Sequence, residues 1–242
     1  MLEASGLSDP GCVRTNNEDS LFVDPQLGLF IVADGMGGAQ AGEHASRMAT
    51  RFVADRVRAA EHRTAELLKR TVEEANVAVM EAAAKSPRLE GMGTTIVAAL
   101  AADPEPAKHG PAELWIASVG DSRAYLCTPS GMRRITEDQT WVNEIGRQVL
   151  SEEALRSHPM RHVLTMAVGV SQPLRVNTYS VKLGPGARLL LSSDGLHGVV
   201  SEAEMERTLR EASDLDECCR SLIEAAREAG GPDNITAVVV AA

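Results

Sequence analysis

Between positions 27 and 33 the chain is apolar at almost every step, and then it stops at Asp34-Gly35. An unbroken apolar run of that length, closed by a turn pair, predicts a buried strand. A glycine-rich turn follows, Gly35-Met36-Gly37-Gly38. Beyond it Ala41, Ala45, Met48, Phe52 and Val57 recur at spacings of three to five, and Leu68, Val72, Ala75, Val79 and Ala82 continue the signal across 64–84. Both stretches predict helices with one apolar face. From Gly93 the texture changes. Residues 94–100, 113–119, 123–127 and 132–135 read as short strands broken by Gly and Pro, the pattern of an antiparallel meander.

Residues 137–170 are mixed, with a helix expected over 140–148. Ser151 before Glu152 and Glu153 has the form of an N-cap with acids in the first turn. Strands return at 178–183 and 187–193. Ser201 with Glu204 forms a capping box, and Asp214 with Glu217 imitates one. The second of these helices carries Leu215, Cys219, Leu222 and Ala226 on one face and ends at Gly230-Gly231-Pro232, before a last strand over 235–240. The order is strand, two helices, many strands, two helices, strand. Two stacked antiparallel sheets flanked by helix pairs satisfy it, an α+β, four-layer αββα sandwich. The Pro-rich stretch 103–111 reads as a surface loop between strands, and no repeat or linker divides the chain. One domain over 1–242 is expected.

With 44% hydrophobic residues the chain can bury a large core, and with only 3% aromatics that core must be built from Ala, Val, Leu, Ile and Met. The formal charge is -10 and no dense Lys/Arg run exists, which argues against a nucleic-acid partner. The acidity can serve solubility, or part of it can line a pocket matched by cations. Cys12, Cys127, Cys218 and Cys219 form no C-x-x-C pair, so they suit neither zinc nor a disulfide framework. They are expected to be buried or half-buried thiols in a reducing compartment. No basic segment followed by an apolar stretch opens the chain, and the least polar run, 93–102, is too short to span a bilayer. A cytoplasmic protein with no membrane association is expected.

The repeated feature is an acid just beyond an apolar strand. Asp34, Asp121 and Asp194 each follow one, and Asp233 stands before the last. A single Asp-Gly is a turn signal and nothing more. Four separated acids with a fifth near the N-terminus, however, can supply the oxygen ligands that two hard divalent cations require.

Six stretches, in order along almost the whole chain, settle the resemblance: Arg14-Thr-Asn-Asn-Glu18-Asp19, Val32-Ala-Asp34-Gly35-Met-Gly-Gly38, Met92-Gly-Thr-Thr, Val119-Gly-Asp121-Ser-Arg, Ser193-Asp194-Gly195-Leu and Gly231-Pro-Asp233-Asn234-Ile-Thr. The chain resembles the metal-dependent serine/threonine phosphatases of the PPM, or type 2C, family in their compact bacterial form. The resemblance implies hydrolysis of phosphoserine and phosphothreonine by water activated between two Mn2+ or Mg2+ ions. It implies that Asp34 bridges the ions, that the Gly35 carbonyl ligates one, and that Asp194 and Asp233 hold the other. Glu18 and Asp19 then lie near the second ion, directly or through water, Asp121 helps bind a third, weaker ion, and Arg14 grips the substrate phosphate. Residues 137–170 correspond to a flap beside the site. The implied partners are phosphorylated proteins, a cognate Ser/Thr kinase and its targets among them, met by a monomer.

The pattern departs from the wider family at Met36, where many members place His as a proton donor, and at Gln139 and Thr140, where Asp-His-Ser is usual. His44 and His62 read as helix-surface residues. His109, His158 and His162 fall in loop-like contexts and are not expected to be ligands, which leaves His197 as the histidine to test for proton transfer. Two alternatives share the fold: a phosphatase of sigma-factor regulators, whose relatives generally add sensor domains, and an inactive phosphoprotein-binding module, whose relatives lose the metal-binding acids retained here.

Overall fold

The computed structural model describes residues 2–38, 40–103, 110–156 and 158–242. Two strands, β1 (Glu3–Asp9) and β2 (Asp19–Asp24), precede the expected first strand, β3 (Leu29–Met36). The sequence pattern predicts neither. β1 reads Glu-Ala-Ser-Gly-Leu-Ser-Asp, with one large apolar side chain, and becomes a strand by pairing antiparallel with the C-terminal strand. Both lie at sheet edges, where half-burial demands little alternation.

Helices α1 (Ala41–Ala59) and α2 (Ala65–Lys85) follow as expected, the second capped by Thr64, whose hydroxyl accepts the Leu67 N–H at 3.0 Å. The fully covered stripe of α1 is Ala41, Ala45, Ala49, Val53 and Val57, while Met48 and Phe52 are only half-buried. Small side chains every fourth position let the helix lie close on β3. His62 sits in the turn after α1 rather than on a helix.

The expected strand over 94–100 is broken at Thr95 into β4 (Gly93–Thr94) and β5 (Ile96–Ala101). Thr95 leaves the ladder to bond Asp34: its N–H donates to the Asp34 carbonyl at 2.8 Å and its hydroxyl oxygen accepts the Asp34 N–H at 3.0 Å. Next come β6 (Ala112–Val119), β7 (Arg123–Thr128) and β8 (Gly131–Arg134). They do not form one meander. β5 pairs with β6, and β7 with β8, but β6 and β7 belong to different sheets. The chain crosses between sheets at Gly120, whose φ of +92° suits glycine. The loop expected at 103–111 lies largely outside the described residues.

The helix expected over 140–148 is a π-helical turn, Val142–Gly146, running into α3 (Arg147–Val149), and α4 (Glu152–Arg156) follows Ser151. The remaining elements are β9 (Asn177–Leu183), β10 (Arg188–Ser192), α5 (Asp194–His197), α6 (Glu202–Glu211), α7 (Leu215–Glu228) and β11 (Ile235–Ala241). Ser201 and Asp214 cap α6 and α7 as predicted, accepting the N–H groups of Glu204 and Glu217.

One sheet has the order β1-β11-β10-β7-β8, and the main path of the other is β2-β3-β5-β6-β9. Apolar layers fill all three gaps of an αββα sandwich. Leu29, Ile31 and Ala33 of β3 face α1 and α2, whereas Phe30 and Val32 face the opposite sheet with Leu189, Leu191 and Val238. Ile235, Ala237 and Val239 of β11 face α6 and α7. β3 is apolar throughout because both its faces are covered. Cys127, Cys218 and Cys219 are buried, but Cys12 is exposed, against the expectation, and all four are free thiols. Among the described residues no helix is long and apolar enough to cross a membrane.

Candidate active site

The acids converge at one end of the sandwich, in the seam between the sheets. On β3 the side chains of Phe30, Val32 and Asp34 alternate onto the inter-sheet face, and Asp19 of β2 stands directly opposite Asp34 in the antiparallel register. Asp121 enters at the crossover that follows β6. Asp194 begins α5 immediately after β10, and Asp233 precedes β11, so the second sheet delivers two acids to the same seam. A cavity of about 620 Å³ is lined by Arg14, Glu18, Asp34, Asp121, Asp194 and Asp233, with Gly35 and Met36 in its wall. Asp19 lies buried behind it. The structure therefore brings together Arg14, Gly35 and the acids that the sequence singled out, but not His197.

The supports of these acids are local and specific. One oxygen of Asp19, Oδ2, accepts hydroxyl protons from Ser193 at 2.7 Å and Thr236 at 2.6 Å. Asn234 ties down the N-terminal loop: its Nδ2 donates to the carbonyls of Pro10 and Asn16, and its Oδ1 accepts the Glu18 N–H at 2.8 Å. That loop holds Arg14, whose guanidinium donates to Asp233 Oδ2 at 2.8 Å. Gly35 and Gly42 press together without side chains. A Cβ on Gly35 would lie 2.2 Å from the Gly42 carbonyl oxygen, and one on Gly42 would lie 2.3 Å from Glu18 Oε2. Gly35 and Gly42 thus make the close approach of β3 to α1, whereas Gly37 lies against a different backbone, since a Cβ there would meet the Met92 Cα at 2.9 Å. Gly38 has open space around it, and its left-handed φ of +89° is what calls for glycine.

Crowded carboxylates raise one another's proton affinity. Burial first, then neighbouring acids, push Asp19 and Asp121 up to about 7. The same causes hold Asp34 well above the usual carboxylate range and raise Asp194. Burial also raises Glu18, against the pull of Arg14. Among the described residues Asp19 Oδ1 and Asp194 Oδ1 are buried without a hydrogen-bond partner. Such a set is satisfied only by protons or by added positive charge.

Hard divalent cations fit this donor set, which is all oxygen and rich in carboxylate. Among the described residues, no three His, Cys, Asp or Glu side chains are drawn tightly enough around one point to enclose an ion as they stand. The partnerless buried oxygens and the mutual repulsion carry the fit instead. Ser193 lies inside the Ser193-Asp194-Gly195 motif, but its role as a support for Asp19 is visible only in the structure. His162 lines the cavity, with its Nε2 taking a hydrogen bond from Arg161 Nε at 2.8 Å. His197 lies outside that cavity. Its Nδ1 is 2.9 Å from Ser192 Oγ, its ring tilts against Tyr125, and burial holds it well below its ordinary value. A ring kept neutral carries no spare proton to donate at neutral pH.

An acid-lined seam with a guanidinium at its mouth is the equipment of a cation-assisted hydrolase of phosphate esters. Residues 13–238 match the family model described as Protein phosphatase 2C, and the chain belongs to that family. It is 39% identical to the serine/threonine phosphatase stp of Listeria innocua, over 99% of this chain and 95% of that protein. The crystal structure of the Mycobacterium tuberculosis serine/threonine phosphatase PstP/Ppp superposes with a TM-score of 0.85 at 33% identity, covering 99% of this chain and 98% of that one. A crystal structure of the PstP catalytic domain in complex with two manganese ions gives a TM-score of 0.83 at 32% identity, with 99% and 97% covered.

Proposed function

We propose that this chain is a protein serine/threonine phosphatase, hydrolysing phosphoserine and phosphothreonine in other proteins with two Mn2+ or Mg2+ ions as resident cofactors. The observation that carries this reading is the convergence of Asp19, Asp34, Asp121, Asp194 and Asp233 from both sheets on one seam. Asp34, the Gly35 carbonyl, Asp194 and Asp233 would hold the two ions, with Glu18 and Asp19 beside them and Asp121 serving a third, weaker one. Bound there, such ions would lower the pKa of an attacking water and offset charge on the phosphoryl oxygens.

The protein's own groups do the rest. Arg14, exposed at the mouth of the cavity, offers a forked guanidinium to phosphoryl oxygens. Asp233 orients that guanidinium, and Asn234 fixes the loop beneath it. Ser193 and Thr236 keep the Asp19 carboxylate turned into the seam. Among the described residues no cysteine lines the cavity, in keeping with attack by water rather than by a thiol. Residues 137–170 act as a flap, contributing His162, Val163 and Leu164 to the cavity wall. The partners are phosphorylated proteins, including a cognate Ser/Thr kinase and its targets, and the chain acts as a cytoplasmic monomer that does not engage nucleic acid.

The test is release of phosphate from p-nitrophenyl phosphate and from a phosphothreonine peptide. Turnover should require Mn2+ or Mg2+ and stop on chelation, and no release at saturating Mn2+ would sink the reading. Arg14→Ala should raise KM for the peptide by about tenfold, the worth of one charge-assisted phosphate contact. An unchanged KM would remove Arg14 from phosphate binding.

A further inference from the structure

A second cavity of about 760 Å³ opens from the acid seam and shares Asp121, Asp194 and Asp233 with it. Away from those shared acids its walls are basic. Arg123, Arg134, Arg147 and Arg161 all line it. One further carboxylate, Asp138, answers them: Arg123 grips it with two bonds of 2.9 and 2.6 Å, and Arg134 reaches it at 3.4 Å. That group already carries two positive charges against one negative. The Arg161 Nε is spent on a ring nitrogen of His162 rather than on a carboxylate. Among the described residues the Arg147 guanidinium has no hydrogen-bond or ion-pair partner at all.

Four arginines and four carboxylates line this concavity, but among the described residues two of the arginines, Arg147 and Arg161, pair with no carboxylate, and in a chain of net charge -10 these are the forks a ligand can use. Arginine forks suit phosphoryl and carboxylate oxygens. A cavity of this volume is on the order of 9 Å across, the reach of two or three extended residues at ~3.3–3.6 Å each. We propose that the second cavity is a subsite for a second anionic group, carried two or three residues from the phosphoresidue under attack and held by Arg147 and Arg161 with Arg134 behind them. Protein segments bearing a neighbouring phosphoresidue, or an acidic side chain at that distance, are then the favoured substrates. The inference rests on the phosphatase reading.

Binding of fluorescent peptides by anisotropy, in buffer containing Mn2+, tests it without relying on turnover. Each peptide carries a hydrolysis-resistant phosphonate at the central residue. At the positions two and three residues to either side it carries Ala, Glu or a second phosphonate. The wild-type protein should bind the best bis-phosphonate peptide roughly tenfold more tightly than the Ala peptide, with Glu intermediate. That ratio should fall to about one in Arg147→Ala/Arg161→Ala and shrink as salt is raised. A wild-type ratio near one at every position, or a ratio that survives in the double variant, overturns the subsite. Hydrolysis of p-nitrophenyl phosphate by the same wild-type preparation separates the two readings. Turnover without the preference removes the subsite alone, whereas the preference without turnover keeps the subsite and removes the phosphatase.

Discussion

Among the described residues the Asp19 carboxylate takes two hydroxyl hydrogen bonds on one oxygen and none on the other, and those two bonds only partly offset the burial that raises its proton affinity. Its ordinary value is 3.8, yet burial and the nearby acids lift it, like Asp121, to about 7. The folded chain therefore keeps protons that the unfolded chain has released. Stability from these two groups is complete below the ordinary carboxylate range and is lost as pH rises through 7. His197 works in the opposite sense, because its ring is pushed well below 6.5 and costs stability as pH falls beneath that value. The window from pH 6.5 to 8 isolates the acids. In chelator the Tm should fall across that window, and Mn2+ should raise it by more at pH 8 than at pH 6.5, since cations compete with the protons. A Tm that rose across the window in chelator would contradict the account. At this scale the acids were legible because they sit in ordered motifs. The hydroxyls of Ser193 and Thr236 were not, because their role depends on a β2 acid more than 170 positions away in the chain.

At the scale of elements, α1 and β3 are held by contact between two backbones. A methyl group on Gly35 meets carbonyl oxygens of Gly42 at 2.2 Å and Glu18 at 2.6 Å, atoms that move only if the helix or the loop moves with them. Gly35→Ala should cost about 1–3 kcal/mol or more, which lowers Tm by about 2–4 °C per kcal/mol in a chain of this size. Gly38→Ala meets open space and bears only the left-handed backbone cost of about 1–2 kcal/mol. Calorimetry should find Gly35→Ala the less stable of the two, and the reverse order would remove the close approach from the account. The long helices and β3 were legible because burial on one face or on both imposes a period. β1 and β2 were not, since edge strands are defined by partners that periodicity does not reveal. The strand expected over 94–100 is interrupted for a similar reason: Thr95 turns aside to serve Asp34.

Across the whole molecule, the αββα order could be read from the succession of elements, but the assignment of strands to sheets could not. The short strands after Gly93 suggest one meander, whereas the chain changes sheet at Gly120 and delivers Asp121 to the seam as it does so. That crossing lets the acids on β2 and β3, the one that follows β10 and the one that precedes β11 meet the one from the β6–β7 turn. The central claim is that these acids work as a single cation site serving phosphate hydrolysis, with Asp34 in its middle. It is tested most directly by phosphate release from a phosphothreonine peptide as Mn2+ is titrated into the wild-type protein and into Asp34→Asn, with circular dichroism showing both folded. Release by the wild type should rise with Mn2+ to a plateau, and the variant should be slower by on the order of a thousandfold at every concentration. Near-equal rates for the two proteins, or wild-type release that persists in chelator, would contradict it.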